Sequence, residues 1–257
     1  MISVPVAFLD TLENGLWLFA AIFLRVSALI SVMPAFGERS VPVRIKLVLS
    51  IMFALVIFPA VPGFEPPTSL TTLSRFALTE TVIGLAFGMG LRLFILALQT
   101  AGAIAAQSTS LSQILGGAAV DPLPAMGYIL VLAGLALAVM AGLHVRAAEL
   151  LLLTYELFPA GRFPDGQILS SWGLAQTARA FSLAFTLAAP FVIASLVYNL
   201  ALGAINRAMP QLMVAFVGAP VITFGGLALL LITAPVLLQV WLDALIGFSR
   251  NPMAAPG

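Results

Sequence analysis

Phe76-Ala-Leu-Thr-Glu80-Thr-Val-Ile-Gly84-Leu-Ala-Phe-Gly88-Met-Gly-Leu-Arg92-Leu-Phe-Ile-Leu-Ala-Leu98 is the stretch whose reading decides the fold. It is apolar over a helical length sufficient to cross a bilayer core of ~30 Å, which takes ~20 residues. Yet it holds an acid and a base. An ionisable side chain in hydrocarbon costs ~2.5–3.5 kcal/mol even on the mild insertion scale, and it persists only against a partner or a wet cavity. The stretch therefore reads as a membrane helix surrounded by protein rather than by lipid alone. On a helix, Glu80, Gly84 and Gly88 share one face, with Arg92 drifting off its edge. The spacing Gly84-Leu-Ala-Phe-Gly88 lets two backbones approach closely. This face is expected at a subunit interface; the bland alternative is packing inside the chain.

Outward from that stretch the pattern repeats. The chain is 61% hydrophobic, with eleven Lys or Arg against ten Asp or Glu and a net charge of +1. The apolar runs are 16–34, 47–62, 76–112, 126–158, 172–205 and 213–248. Continuous runs of this length give a polytopic all-α membrane protein and exclude a β-barrel, whose strands alternate apolar and polar residues. No polar linker divides residues 1–257, so one integrated unit is expected. The lengths are uneven: 47–62 barely spans a bilayer, whereas 76–112 and 213–248 are too long for single crossings. Pro190, Pro220 and Pro235 lie inside the last two runs. Kinked helical hairpins fit these features, with Ser195, Thr223 or Thr233 available to satisfy carbonyls that the prolines free. Arg25, Arg179 and Asp243 are further charges in apolar settings.

The remaining inventory excludes more than it suggests. Without cysteine there is no disulfide, thiolate nucleophile or Cys-based metal site, and the lone His144 cannot form a histidine cluster. No Walker A loop or Gly-x-Ser-x-Gly elbow occurs. Neither an enzyme, nor a cofactor, nor a metal, nor a nucleic-acid partner is expected. The N-terminus does not read as a cleaved signal peptide, since Asp10 and Glu13 lead into the first run with no basic residue before it. Arg39, Arg44, Lys46 and Arg207 fall on one side of the runs and Arg75, Arg162 and Arg250 on the other, so loop charge sets no orientation.

Three short polar segments stand out. Gly37 to Lys46, with Glu38, Arg39, Arg44 and Lys46, reads as a solvated turn or as a basic contact surface. Ser108 to Ala119 carries four hydroxyls, Gln113 and the pair Gly116-Gly117, poor material for a lipid-facing helix. Such backbone at membrane depth is tolerated only where it is buried in protein or lines water; the alternative is an extramembrane loop. Asn206-Arg207-Ala-Met-Pro210-Gln211 is a compact turn, and Arg146 and Glu149 sit at i, i+3 where they can pair on a helix.

With these residues in place, the chain resembles the FliR family of the flagellar type III protein-export apparatus over nearly its whole length. The resemblance is carried by Arg25-Val-Ser-Ala-Leu-Ile-Ser-Val-Met-Pro34 with the basic turn after it, and by Ala101-Gly102 through to Asp121-Pro122. It continues in Gly142-Leu-His144 to Pro159-Ala-Gly161, and in Leu202 to Gln211 with Val217-Gly218-Ala-Pro220. One departure is Ala105-Ala106-Gln107-Ser108-Thr109-Ser110, where family members usually carry extra glycine. The resemblance implies a subunit that joins FliP and FliQ homologues in a helical, multi-subunit export gate, with FlhB and FlhA homologues nearby. It implies unfolded polypeptides as cargo and a place in the bacterial inner membrane at the flagellar basal body. It puts the channel plug at Ser110, Leu111, Ser112, Gln113, Ile114, Leu115, Gly116, Gly117, Ala118 and Ala119. Subunit contacts are expected at Arg25, Glu80, Gly84, Gly88, Arg92, Asn206 and Arg207. Two other readings stay open: a virulence secretion homologue, and a self-contained secondary transporter using Glu80, Arg92 and Asp243.

Overall fold

The computed structural model describes residues 6–64, 69–109, 125–209 and 214–254. The elements are α1 (Val6–Val32), α2 (Val43–Ile57) with a 3-10 turn (Phe58–Ala60), α3 (Leu70–Thr109), α4 (Ala125–Met140), α5 (Leu143–Leu157), α6 (Gly166–Ala208) and α7 (Val214–Arg250). No strand occurs among the described residues. Five helical segments are long and apolar enough to cross a membrane. The chain is an all-α membrane protein.

Several helices begin before their apolar runs, and local chemistry explains why. At the start of α3, the Thr72 N–H donates to Ser69 Oγ (3.2 Å) while the Ser69 N–H donates to Thr72 Oγ1 (3.1 Å). This reciprocal cap satisfies two donors that a helix start leaves open. Asp165 does the same for α6, its Oδ1 accepting from the Gln167 N–H (2.7 Å). At α2, Pro42 (φ −57°) leads directly into the helix, so Arg44 and Lys46 lie in its first turn rather than in a loop. The run 126–158 is broken at Gly142, whose φ of +80° suits a residue without a Cβ.

α6 continues through Pro190 and α7 through Pro220 and Pro235. Two of the hydroxyls expected to serve these prolines, Ser195 and Thr233, are engaged elsewhere. Pro190 and Pro235 open the carbonyls one turn back, at Thr186 and Leu231. Ser195 Oγ, however, donates to the Ser108 carbonyl, and Thr233 Oγ1 to the Leu229 carbonyl (2.8 Å).

The chain forms two compact units, Met1–Arg92 with Gly142–Gln176 and Ile246–Gly257, and Leu93–Ala141 with Thr177–Leu245. Neither is contiguous, so no single cut in the sequence separates them.

In the first unit α1 and α3 run parallel and in register. Trp17 packs edge-on against Phe76 (5.4 Å between ring centroids), Arg25 meets Glu80, and Glu38 meets Arg92. Gly84 lies against the backbone of Arg25, and Gly88 against Leu29 and Val32. A Cβ at Gly84 would fall 2.2 Å from the Arg25 carbonyl oxygen. In lipid there is no hydrophobic pull between helices, so close packing and polar pairs must hold them. A second cluster joins Phe87, Phe158, Trp172 and Phe248, and Trp172 Nε1 donates to the Pro252 carbonyl (2.7 Å).

The second unit uses glycine and hydroxyl contacts. Gly102 and Gly127 meet so closely that a Cβ on Gly102 would sit 2.1 Å from the Gly127 Cα. Gly134 makes room for Leu98 and for the fully buried Trp241, whose Nε1 donates to the Phe94 carbonyl (2.8 Å). Asn199 Nδ2 donates to the Ser195 carbonyl (2.8 Å), beside the Ser195–Ser108 bond. A cavity of about 270 Å³ lies between α6 and α7, lined by Phe191, Tyr198, Ile222, Gly225 and their neighbours.

Candidate functional site

The most concentrated polar chemistry in the first unit is centred on Arg25. Its Nε donates to Glu80 Oε2 (2.8 Å), Nη1 to Thr154 Oγ1 (3.1 Å) and Nη2 to the Phe158 carbonyl (3.1 Å). The guanidinium carbon lies 3.7 Å from the centroid of the Tyr155 ring, a cation–π contact that gains strength away from water. The other carboxylate oxygen, Glu80 Oε1, accepts from the Gly161 N–H (3.0 Å). Arg25 and Glu80 are both 0% exposed.

Each part has a local cause. Phe158 follows the last residue of α5, so its carbonyl lacks an intrahelical donor, and Arg25 supplies one. Gly161 holds φ +71°, and a Cβ there would press to 2.7 Å from the Phe76 ring. Only a glycine both turns the chain and brings its N–H to Glu80. The ion pair thus ties α1 and α3 to the α5–α6 connection. The second pair, Arg92 Nη1 to Glu38 Oε1 (2.6 Å), reverses the signs: α3 gives the base and the turn after α1 the acid. A slip of α3 along α1 would forfeit both pairs.

This arrangement is a clamp, not a reaction centre. Both Glu80 oxygens accept hydrogen bonds from the chain itself, and the carboxylate is fully buried, so its charge is spent on fixing α1 and the α5–α6 connection. Among the described residues, no group of His, Asp and Glu is placed to hold a metal ion.

Arg25, Glu80, Gly84 and Gly88, expected at a subunit contact, are engaged within this chain. The two charges are sealed inside the first unit, and the two glycines are filled by α1 of the same chain. Arg92 is about one quarter exposed and engages Glu38. Arg146 and Glu149 form no ion pair with each other, and among the described residues the buried Arg146 Nε has no hydrogen-bond partner. Asn206 and Arg207 are exposed at the end of α6, and Asp243 is exposed on α7. Ser110 to Ala119 lie outside the described residues. Thr154, Tyr155 and Gly161 were not anticipated as part of the site. Their signal lay in the rule that a buried arginine needs several acceptors, which Glu80 alone cannot provide.

A polytopic α-helical protein whose buried ion pair fixes helix register is a structural membrane component. Residues 16–247 match the model of the bacterial export proteins, family 1, and the chain belongs to that family. It is similar to the flagellar biosynthetic protein FliR of Caulobacter vibrioides, 33% identical over 228 residues, covering 87% of this chain and 91% of that protein. Identity to FliR of Escherichia coli is also 33%, over 83% of each chain. With FliR of Bacillus subtilis it is 26%, over 79% of this chain and 80% of that one. The chain is a component of the flagellar export apparatus and not an enzyme.

Proposed function

We propose that this chain is one subunit of the flagellar export gate, assembled with FliP and FliQ homologues around a channel for unfolded flagellar proteins. On this reading the gate sits in the inner membrane at the flagellar basal body, with FlhA and FlhB homologues docking on it. The observation that carries the proposal is the mismatch between helix length and cover. α6 and α7 have 43 and 37 residues, about 65 and 55 Å at 1.5 Å per residue, against a hydrocarbon core of ~30 Å. In their most apolar windows only 28% and 22% of residues are buried by the chain itself, against 56% in α3. Helices that overrun the bilayer and remain largely uncovered fit an assembly whose neighbours supply the rest.

Asn206 and Arg207, exposed at the α6 terminus, are proposed as partner contacts. The segment Ser110–Ala119 is proposed as the plug of the resting channel. It contains no Lys, Arg, Asp or Glu, so moving it between an apolar seal and a wet lumen desolvates no charge.

The test is co-expression with FliP and FliQ homologues and purification through a tag on one of them. The expected result is a single large complex containing this chain, which is lost or degraded when the FliP homologue is omitted. A stable, monodisperse monomer in mild detergent that does not join the complex would refute the proposal.

A further inference from the structure

The pairing of Glu38 changes what the turn between α1 and α2 presents. Glu38 is the one acid between Gly37 and Lys46, and Arg92 occupies it. Lys46 folds back, its Nζ donating to the Gly37 carbonyl (2.8 Å). Arg39 and Arg44 are exposed, and among the described residues neither has a carboxylate within ion-pair distance. Both stand where α2 begins. That helix and the 3-10 turn after it form an 18-residue apolar span, Val43–Ala60, with only 17% of its residues buried. Val43, Leu47, Met52, Leu55 and Val56 are each half exposed or more.

We infer that the α1–α2 turn binds an anionic phospholipid, with Arg39 and Arg44 on the headgroup phosphate and the open flank of α2 along the acyl chains. Eighteen helical residues rise about 27 Å, close to the ~30 Å of a bilayer core, so arginines at the start of the span arrive at the phosphate level of one leaflet. Guanidinium groups match phosphate oxygens with paired, charge-assisted hydrogen bonds. A lipid answers both features with one molecule, its phosphate meeting the cationic end and its acyl chains the apolar flank. Asp10 and Glu13 stand near the other end of α1, away from this turn.

The experiment uses the full chain in whatever assembly it purifies with, in mild detergent, and counts retained lipids by native mass spectrometry. Phosphatidylglycerol or phosphatidylcholine is titrated in. The wild type is expected to retain phosphatidylglycerol preferentially, and the preference should weaken with salt. Each basic residue near an anionic surface gives roughly a fivefold gain, so R39A/R44A should weaken phosphatidylglycerol retention about thirtyfold. R39K/R44K should keep most of it. R39Q/R44Q serves as the neutral control if the alanine protein is not recovered. Equal retention of the two lipids, or a neutral variant that binds like wild type, overturns the inference. So does displacement of the lipid by inorganic phosphate at matching concentration. Loss of a protein subunit from the neutral variant, with lipid retention unchanged, overturns it in favour of an acidic protein partner. None of these readouts depends on which subunits form the gate, so the inference can fail while the gate reading stands.

Discussion

Glu80→Gln is the sharpest perturbation of the clamp, because it keeps the shape of the side chain and removes only its charge. In the native fold Arg25 is fully buried and its single carboxylate partner is Glu80 at 2.8 Å. Breaking a buried pair by removing one partner costs ~3–5 kcal/mol, because the remaining charge is left uncompensated. Against a typical margin of ~5–15 kcal/mol, such a loss would lower the folded population severely. Removing both charges behaves differently. In R25M/E80M no charge is stranded, and replacing a buried pair with apolar groups is often neutral or favourable by ~1–4 kcal/mol. What remains is the loss of partners for the Thr154 hydroxyl, the Phe158 carbonyl and the Gly161 N–H, at ~1 kcal/mol each, and of the cation–π contact with Tyr155. The double variant should therefore be nearer to wild type than either single variant, with a coupling of a few kcal/mol. Thermal unfolding of the purified membrane protein and its steady-state amount in cells both report this. An E80Q protein with unchanged thermal stability, or a double variant as unstable as the sum of the singles, would refute the clamp.

Other outcomes follow from the same geometry. Gly84→Ala should destabilise by about 1–3 kcal/mol, since the new methyl meets backbone that cannot yield, whereas Gly173→Ala, with open space, should be neutral or slightly stabilising; thermal unfolding compares them. Glu38→Arg should cost about 1 kcal/mol or less, because the pair is partly exposed. Arg92→Glu added to it should restore stability, as measured by a double-mutant cycle. Deleting Ile114 to Gly117 should leave assembly intact but make cells expressing the gate permeable to small solutes; unchanged permeability in an assembled complex would remove the plug assignment.

The class of fold was legible because six apolar runs of helical length admit few alternatives. The helix starts at Leu70 and Gly166 were missed by six residues each because the runs were delimited by hydropathy. The reciprocal cap Ser69/Thr72 and the Asp165 cap were present in the sequence as ordinary start signals. The break at Gly142 was hidden by its apolar surroundings, since a left-handed glycine leaves no trace in hydropathy. The site was half legible. Burial of Arg25 and Glu80 followed from the cost of charge in hydrocarbon, but that argument has no term for which chain supplies the partner. Their separation of 55 residues is bridged only because α1 and α3 run parallel, and parallel register cannot be read from one helix face.

That difference bears on how the gate would assemble. Arg25 and Glu80 are used inside the first unit, and Arg92 is engaged there by Glu38. What the chain leaves uncovered is apolar helix length, punctuated by a few exposed polar groups such as Asn206, Arg207 and Asp243. In the proposed gate, specificity between subunits would rest on shape along long helices and on those few groups, not on the charges embedded deepest. A genetic consequence separates the two arrangements. Motility lost through Glu80→Gln should be restored by second changes within this chain, first of all at Arg25, where Arg25→Met or Arg25→Gln removes the stranded charge. Suppressors of Arg207→Glu should arise in the partner genes, because Arg207 is exposed and forms no ion pair with a described residue of its own chain. If suppressors of Glu80→Gln fell mainly in the partner genes, Glu80 would be an intersubunit group after all, and the sealed pair would not be its arrangement in the working gate.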